Sequence, residues 1–408
     1  MKAATCVADI TPQCPVYLCG YVGEARKHPA KGVHDHPLAV SLLLEIEDSL
    51  LLFVSIDVVT VGGEKVTILK KRIKEVIGLD DDLIIINAIH SHSCANGFAD
   101  EAVFGTPDHP EYFQFVCDQI INSIMNLKEK LVEVDAVMGT DHVQGYYSKR
   151  SDRTLPYDDN AAVVKFMRED RVIAAMCNFN CHATVLGPQN MQLSADLIGK
   201  VRSLMAEELQ VVPYTFTGAS GDISNRQYRQ GNDFAELERV GNGVANILKQ
   251  IKKYEKLKLE KPRMTPYDYH IHYDTCEYRE DYRKGIREAE AALASESISE
   301  DEWKLRTSEK LLLEMKLSIP MVDFHVRGMV LHIGELTIVT FPGELASCFG
   351  LELRKRCMSK QFLLIGYAND YQGYFIEAEE YGKTYETKAS NTPRGESENI
   401  VNRIGDLL

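Results

Sequence analysis

The stretch "IIINAIHSHSCANGF", residues 84–98, is an apolar run that breaks abruptly into two histidines one residue apart. With its two preceding residues, "DLIIINAI" (82–89) has strand length and is apolar at nearly every position. That pattern predicts a strand covered on both faces of a sheet, which places the chain among α/β folds. His90 and His92 then stand just past the strand's carboxyl end, where open α/β sheets form their ligand crevices. Residues two apart in an extended chain share a face, so the two imidazoles can converge on one point.

Working outward, "LAVSLLLEIED" (38–48) and "SLLLFVSIDVV" (49–59) predict a hairpin of buried strands. "EKVTILKKRIKEVIG" (64–78) predicts a helix with Val66, Leu69, Ile73 and Val76 on its apolar stripe and a stop at Gly78. "PEYFQFVCDQIINSIMNLKEKL" (110–131) predicts a helix opened by Pro110. A second hairpin follows in "AAVVKFMREDRVIAAMCNFN" (161–180), then a helix capped by Ser194, a short strand "PYTFTG" (213–218) and the helix "NDFAELERVGNGVANILKQIKKY". "GMVLHIGELTIVTFPGE" (328–344) predicts a hairpin turning at Gly334–Glu335, and "QFLLIGYAND" (361–370) a last strand. Residues 276–316 are rich in charge yet keep Leu311, Leu312, Met315 and Leu317, so they predict a helical insertion. The expected fold is α/β, a layered mixed β-sheet core with flanking helices, in one domain over residues 1–408. No internal repeat is visible.

The bulk composition excludes several functions. A formal net charge of −14 leaves no basic stripe for a phosphate backbone, so nucleic acid is not an expected partner. No run approaches the roughly 20 apolar residues of a membrane-spanning helix. The N-terminal "MKAATCVADITPQC" has too short an apolar segment for a secretory signal. Ten cysteines are scattered, and "CPVYLC" and "CNFNC" lack the two-residue spacing of zinc knuckles and redox pairs. Reduced thiols and a cytoplasmic location are expected.

A His-x-His pair alone is weak evidence, because "HDH" (34–36) and "HIH" (270–272) also occur. His90 and His92 gain from company at other strand ends. His182 follows one apolar strand in "MCNFNCHATVLG", and Glu344 follows another after the turn forced by Pro342 and Gly343. Tyr371 and Tyr374 follow a further strand in "LLIGYANDYQGYF". Imidazole with carboxylate suits Zn²⁺ in a catalytic site that keeps one position open. "FTGASGDISNRQ" (216–227) adds Ser224 between Ile223 and Asn225 in a loop of small residues; it has neither the G-x-S-x-G elbow nor a P-loop lysine.

Six segments in order then resemble the catalytic domain of the neutral/alkaline (non-lysosomal) ceramidases. They are "DITP" with Gly20-Tyr21, "GVHDHPL" (with His36 inserted), "IHSHS", "NCHATVLG", "GASGDISN", and the pair "FPGE" and "GYANDYQGY". The resemblance implies a zinc amidase with His90, His182, Glu344 and Tyr374 as metal ligands, Tyr371 being the alternate tyrosine. It implies His92 as acid/base beside the metal, Ser224 at the family's active-site serine, and Arg150 (or Arg153) as the substrate-binding arginine. Tyr381 and Tyr385 would supply hydroxyls at the pocket rim. The expected chemistry is hydrolysis of a linear amide by activated water, with His92 moving the proton and Tyr and Arg donors holding the oxyanion. An acyl-serine route through Ser224 lacks an assigned His–Asp pair.

The chain departs from the family at Ser93-Cys94-Ala95, where the family has Ser-Gly-Pro, and at Ser224-Asn225-Arg226, where it has Ser-Pro. The family's C-terminal immunoglobulin-like domain is also expected to be absent. The expected substrate is therefore an N-acyl amine smaller or more soluble than ceramide, a small or lipid-like molecule. The alternative is a non-catalytic zinc-binding relative acting as a binding or scaffold protein. Retention of every ligand type counts against that alternative, and a two-metal phosphoesterase would need more Asp and Asn in these loops.

Overall fold

The computed structural model describes residues 1–21, 24–99, 106–295 and 297–408. Its core is three mixed sheets. The first holds β1 (Lys2–Asp9), β2 (Leu38–Ile46), β3 (Ser49–Ile56), β4 (Ile84–Ala88) and β5 (Val132–Glu133), in the order β4-β3-β2-β1-β5. The second holds β6 (Asp135–His142), β7 (Asn160–Arg168), β8 (Arg171–Phe179), β9 (Tyr214–Phe216) and β10 (Glu255–Leu257), in the order β9-β8-β7-β6-β10. The third is β11 (Arg263–Asp274), β12 (Met321–Ile333), β13 (Leu336–Thr340) and β14 (Gln361–Ile365), in sequence order.

Each sheet carries the same ββαβ path. An antiparallel hairpin, β2–β3, β7–β8 or β12–β13, comes first. A helix then crosses over, respectively α1 (Gly63–Ile77), α3 (Asp196–Leu209) and α7 (Ser347–Arg356). The last strand, β4, β9 or β14, pairs parallel with the second hairpin strand. Two more helices, α2 (Pro110–Ile124) and α4 (Phe234–Lys249), thicken the outer layers of the first two sheets.

Side chains alternate across each sheet because the strand period is two. Leu52, Val54, Ile84 and Ile86 pack outward on α1 and α2, while Phe53 and Ile85 point inward. Val163 and Cys177 face α3 and α4, while Val164 and Met176 point inward. Val339 and Leu364 face α7, while Ile338 and Leu363 point inward. The three inward faces form one central core, so the sheets meet back to back with helices outside. Polar links join their parallel edges: Ser55 Oγ donates to the Thr215 carbonyl, and Tyr214 Oη to Asn87 Oδ1. Backbone bonds run from Gly366 N to Thr217 O and from Asn369 N to Ile86 O.

The expected hairpins, the turn at Gly334 and the α/β class are all present, and "DLIIINAI" is buried throughout β4. The insertion is α5 (Arg279–Leu293) and α6 (Glu300–Ser318), a helical pair leaving the end of the β11–β12 ribbon. Four details differ. In α6 Leu313 is buried, whereas Leu311 and Met315, expected on the insertion's packed face, are exposed. In α1 the buried stripe is Val66, Leu69, Ile73 and Ile77, and Val76 is 36% exposed, because steps of three and four keep a 3.6-residue period on one side. The helix from Pro110 ends at Ile124, and its remainder turns to bury Leu127. The threefold ββαβ plan was invisible in sequence, since its helices differ in length and its strands share only a pattern. Among the described residues, no helix is long and apolar enough to cross a membrane.

Candidate metal centre

The carboxyl ends of the three parallel strand pairs open toward one buried point. His90 lies two residues past β4 with φ of 61°, a left-handed backbone that costs a non-glycine residue energy and is held by its surroundings. Its Nδ1 is 2.7 Å from the Val59 carbonyl, just after β3, so that nitrogen carries the proton and Nε2 presents a lone pair. Tyr367, after β14, also has positive φ and stacks on the His90 ring at 4.2 Å. Its hydroxyl bonds Ser220 Oγ.

His182, after β8, is fixed in the same way. Its Nδ1 donates to the Ser220 carbonyl at 2.6 Å and faces the Ile223 carbonyl at 3.2 Å, both in the loop after β9. Its Nε2 lies 2.7 Å from Glu344 Oε2, and His90 Nε2 lies 3.6 Å from the same oxygen. His92 Nε2 is 3.2 Å from His90 Nε2. One nitrogen from each of the three rings falls within 4.8 Å of the others. His90, His182 and Glu344 are wholly buried and His92 is nearly so.

These donors fit a cation. A neutral imidazole has one N–H, and His90 and His182 both commit it to backbone carbonyls. Their lone pairs then face each other and a carboxylate oxygen, acceptor against acceptor. Charging the rings would relieve this, but burial opposes it and pushes His90 down to about 3, with His92 and His182 also well below the usual imidazole range. Burial likewise raises the Glu344 carboxyl. A divalent ion of borderline softness satisfies every lone pair at once.

The other expected residues fall at graded distances. Tyr371 Oη donates to Glu344 Oε1 at 2.5 Å, and Tyr374 sits beside Glu344 in a short parallel ladder, near enough to favour its carboxylate form. Both tyrosines therefore reach the centre. Ser224 pairs with Ser148 in a two-residue ladder, and its Oγ accepts from Arg226 N; the residue before it supplies the carbonyl facing His182. Arg150 adjoins that ladder and bonds Glu386 Oε1 at 2.9 Å. Burial alone would lower its guanidinium, but Tyr374, Glu386 and Glu344 outweigh that and hold it firmly charged. Tyr381 donates its hydroxyl to the Thr392 carbonyl and is not joined to Glu344, while Tyr385 packs edge-on against Tyr374. Arg153 lies over Tyr228. The "HDH" histidines are elsewhere: His34 stacks on Phe234, and His36 meets Thr11 and Asp9.

Sequence reasoning missed the cradle of His92. Tyr21 packs on its ring, and Arg26 Nη1 donates to its carbonyl while lying over Tyr21. Gly20 has φ of 102°, and a Cβ there would come within 2.6 Å of His92 Cγ. "GY" at 20–21 signalled this cradle; nothing in the sequence signalled Arg26, Tyr367 or Glu386.

Fold and site together define a mixed α/β protein with a buried histidine–carboxylate centre, built on the neutral ceramidase fold. The chain is similar to the neutral ceramidase from Pseudomonas aeruginosa, with a TM-score of 0.73 and 17% identity over 99% of this chain and 73% of that one. It is similar also to a ceramidase complexed with C2, with a TM-score of 0.71 and 15% identity over 99% of this chain and 74% of that one. No family model matches the chain, and no curated protein matches it.

Proposed function

We propose that this chain is a metal-dependent amidohydrolase that cleaves a linear N-acyl amine, ceramide-like in its bond and smaller or more soluble than ceramide. The observation that carries this reading is the convergence of His90, His182 and Glu344 with their other polar atoms already committed. These three, with Tyr374 or Tyr371, would hold Zn²⁺. Bound there, the ion would polarise a carbonyl and acidify a solvent molecule.

The remaining roles belong to the chain. His92 is neutral and oriented by Gly20, Tyr21 and Arg26, so it can take the proton of the attacking water and return it to the departing amine. Arg150, charged and buried beside Tyr374, donates hydrogen bonds to the oxyanion as it forms. Ser224 positions water or substrate, and its loop holds His182 in register. Tyr385, packed edge-on against Tyr374, would line the rim beside Tyr381, whose hydroxyl is held by the Thr392 carbonyl. A reducing, cytoplasmic setting fits ten scattered cysteines whose spacings match neither zinc knuckles nor redox pairs.

Metal analysis joined to hydrolysis of an N-acyl panel tests the proposal. His90→Ala and His182→Ala should each lose the buried zinc and turnover together. Full zinc occupancy of the wild type with no turnover on any amide or ester would instead indicate a binding relative.

A further inference from the structure

The remaining His-x-His pair lies far from the buried centre, on the outer face of the β11–β12 ribbon. His270 and His272 are two apart on β11 and share that face. The register sets His270 opposite His325 and His272 opposite Asp323. Three imidazoles and a carboxylate thus occupy neighbouring cross-strand positions. Asp323 bridges the pair, with Oδ1 2.8 Å from His270 Nε2 and Oδ2 3.1 Å from His272 Nδ1. His325 stacks flat on His270, ring centroids 4.4 Å apart and planes within 6°. Its Nδ1 faces Asp268 Oδ1, and Arg327 Nε bonds the other oxygen of that carboxylate.

We propose that His270, His272 and Asp323 form a second metal site, one that takes a divalent ion of zinc-like softness. One ligand atom from each lies within 4.8 Å of the others. Ordinary surface His–Asp pairs contribute little, and a single such contact would mean nothing. Here one carboxylate faces two rings on a paired ribbon, and a third ring packed behind His270 restricts its rotation. Two imidazoles with one carboxylate select Zn²⁺ over Mg²⁺ or Ca²⁺, which prefer all-oxygen shells. The donors are about half exposed, so the remaining position opens to solvent.

The place gives the site a structural role. It lies just inside Asp274 and Met321, where the α5–α6 insertion leaves the ribbon. An ion there clips the base of the insertion across both strands.

The full-length chain is dialysed against Zn²⁺ and its metal content measured. The His270→Ala/His272→Ala variant should bind one equivalent fewer than wild type and hydrolyse the N-acyl panel at the wild-type rate. In a His90→Ala/His182→Ala background, Asp323→Ala should weaken the remaining Zn²⁺ binding by about tenfold or more, and Mg²⁺ should not compete. Unchanged stoichiometry in the His270→Ala/His272→Ala variant overturns the site, as does unchanged affinity on removing Asp323. Because the buried centre is read separately, zinc lost only with the surface variant supports this site even if the buried one binds none.

Discussion

Gly20 and Asp196 show how single positions set the behaviour of this centre. At Gly20 a methyl group would collide with the His92 ring on a backbone that side chains rarely adopt. Gly20→Ala should cost about 1–3 kcal/mol of stability and lower kcat far more than it raises KM, checked by urea unfolding and steady-state kinetics. Asp196 is fully buried with φ of 50°, and burial lifts its carboxyl to about 6 although three backbone N–H groups bond it. A carboxyl raised in the fold favours the protonated native state. Its contribution is therefore present below the unfolded value near 4 and is lost as pH rises toward 6. The loss is on the order of 3 kcal/mol. Asparagine tolerates the same backbone and does not titrate. Asp196→Asn should accordingly flatten the stability profile between these pH values, read as urea midpoints; an unchanged slope would contradict the assignment.

Among the elements, the helical insertion does more than decorate the surface. Lys316 on α6 is buried, and burial brings its ammonium down to about 7. Its Nζ donates to the carbonyls of Lys388 and Ser390. Ser390 Oγ in turn donates to the Tyr374 carbonyl. The insertion thus braces the segment that carries Tyr374, Tyr385 and Glu386. Lys316→Met keeps the bulk and removes the donors, leaving the buried Ser390 carbonyl without this partner at about 1–3 kcal/mol. The variant should lose stability and turnover while retaining zinc, measured by denaturation, kinetics and metal content. The insertion's helical character was legible, but its packed face was not: Leu311 and Met315 are exposed and Leu313 is buried instead. Nor was this brace, since a lysine in a helix ordinarily signals solvent.

For the whole molecule, the donors come from all three ββαβ units: His90 from the first, His182 from the second, Glu344 and the tyrosines from the third. A bound ion should therefore tie the sheets together, and chelation should lower the melting temperature of wild type by more than that of His90→Ala/His182→Ala. At a ligand concentration a thousand times Kd the linkage is worth about 4 kcal/mol. Much of this layout could be read in advance. Apolar runs ending in His90, His182 and Glu344 announced strands that stop at chemistry. The convergence itself was implied only by the resemblance to the ceramidases, because it depends on three sheet edges docking through Asn87, Thr215 and Tyr367, which carry no pattern of their own. Tyr381 was expected at the rim on motif position, and its hydroxyl is taken by Thr392.

The order of the ligands along the polypeptide has a biosynthetic consequence. A ribosome-bound chain that has emerged only through its second repeat displays both imidazoles without their acidic counterpart. Such an intermediate can hold an ion only loosely, so secure loading waits until the third repeat has emerged.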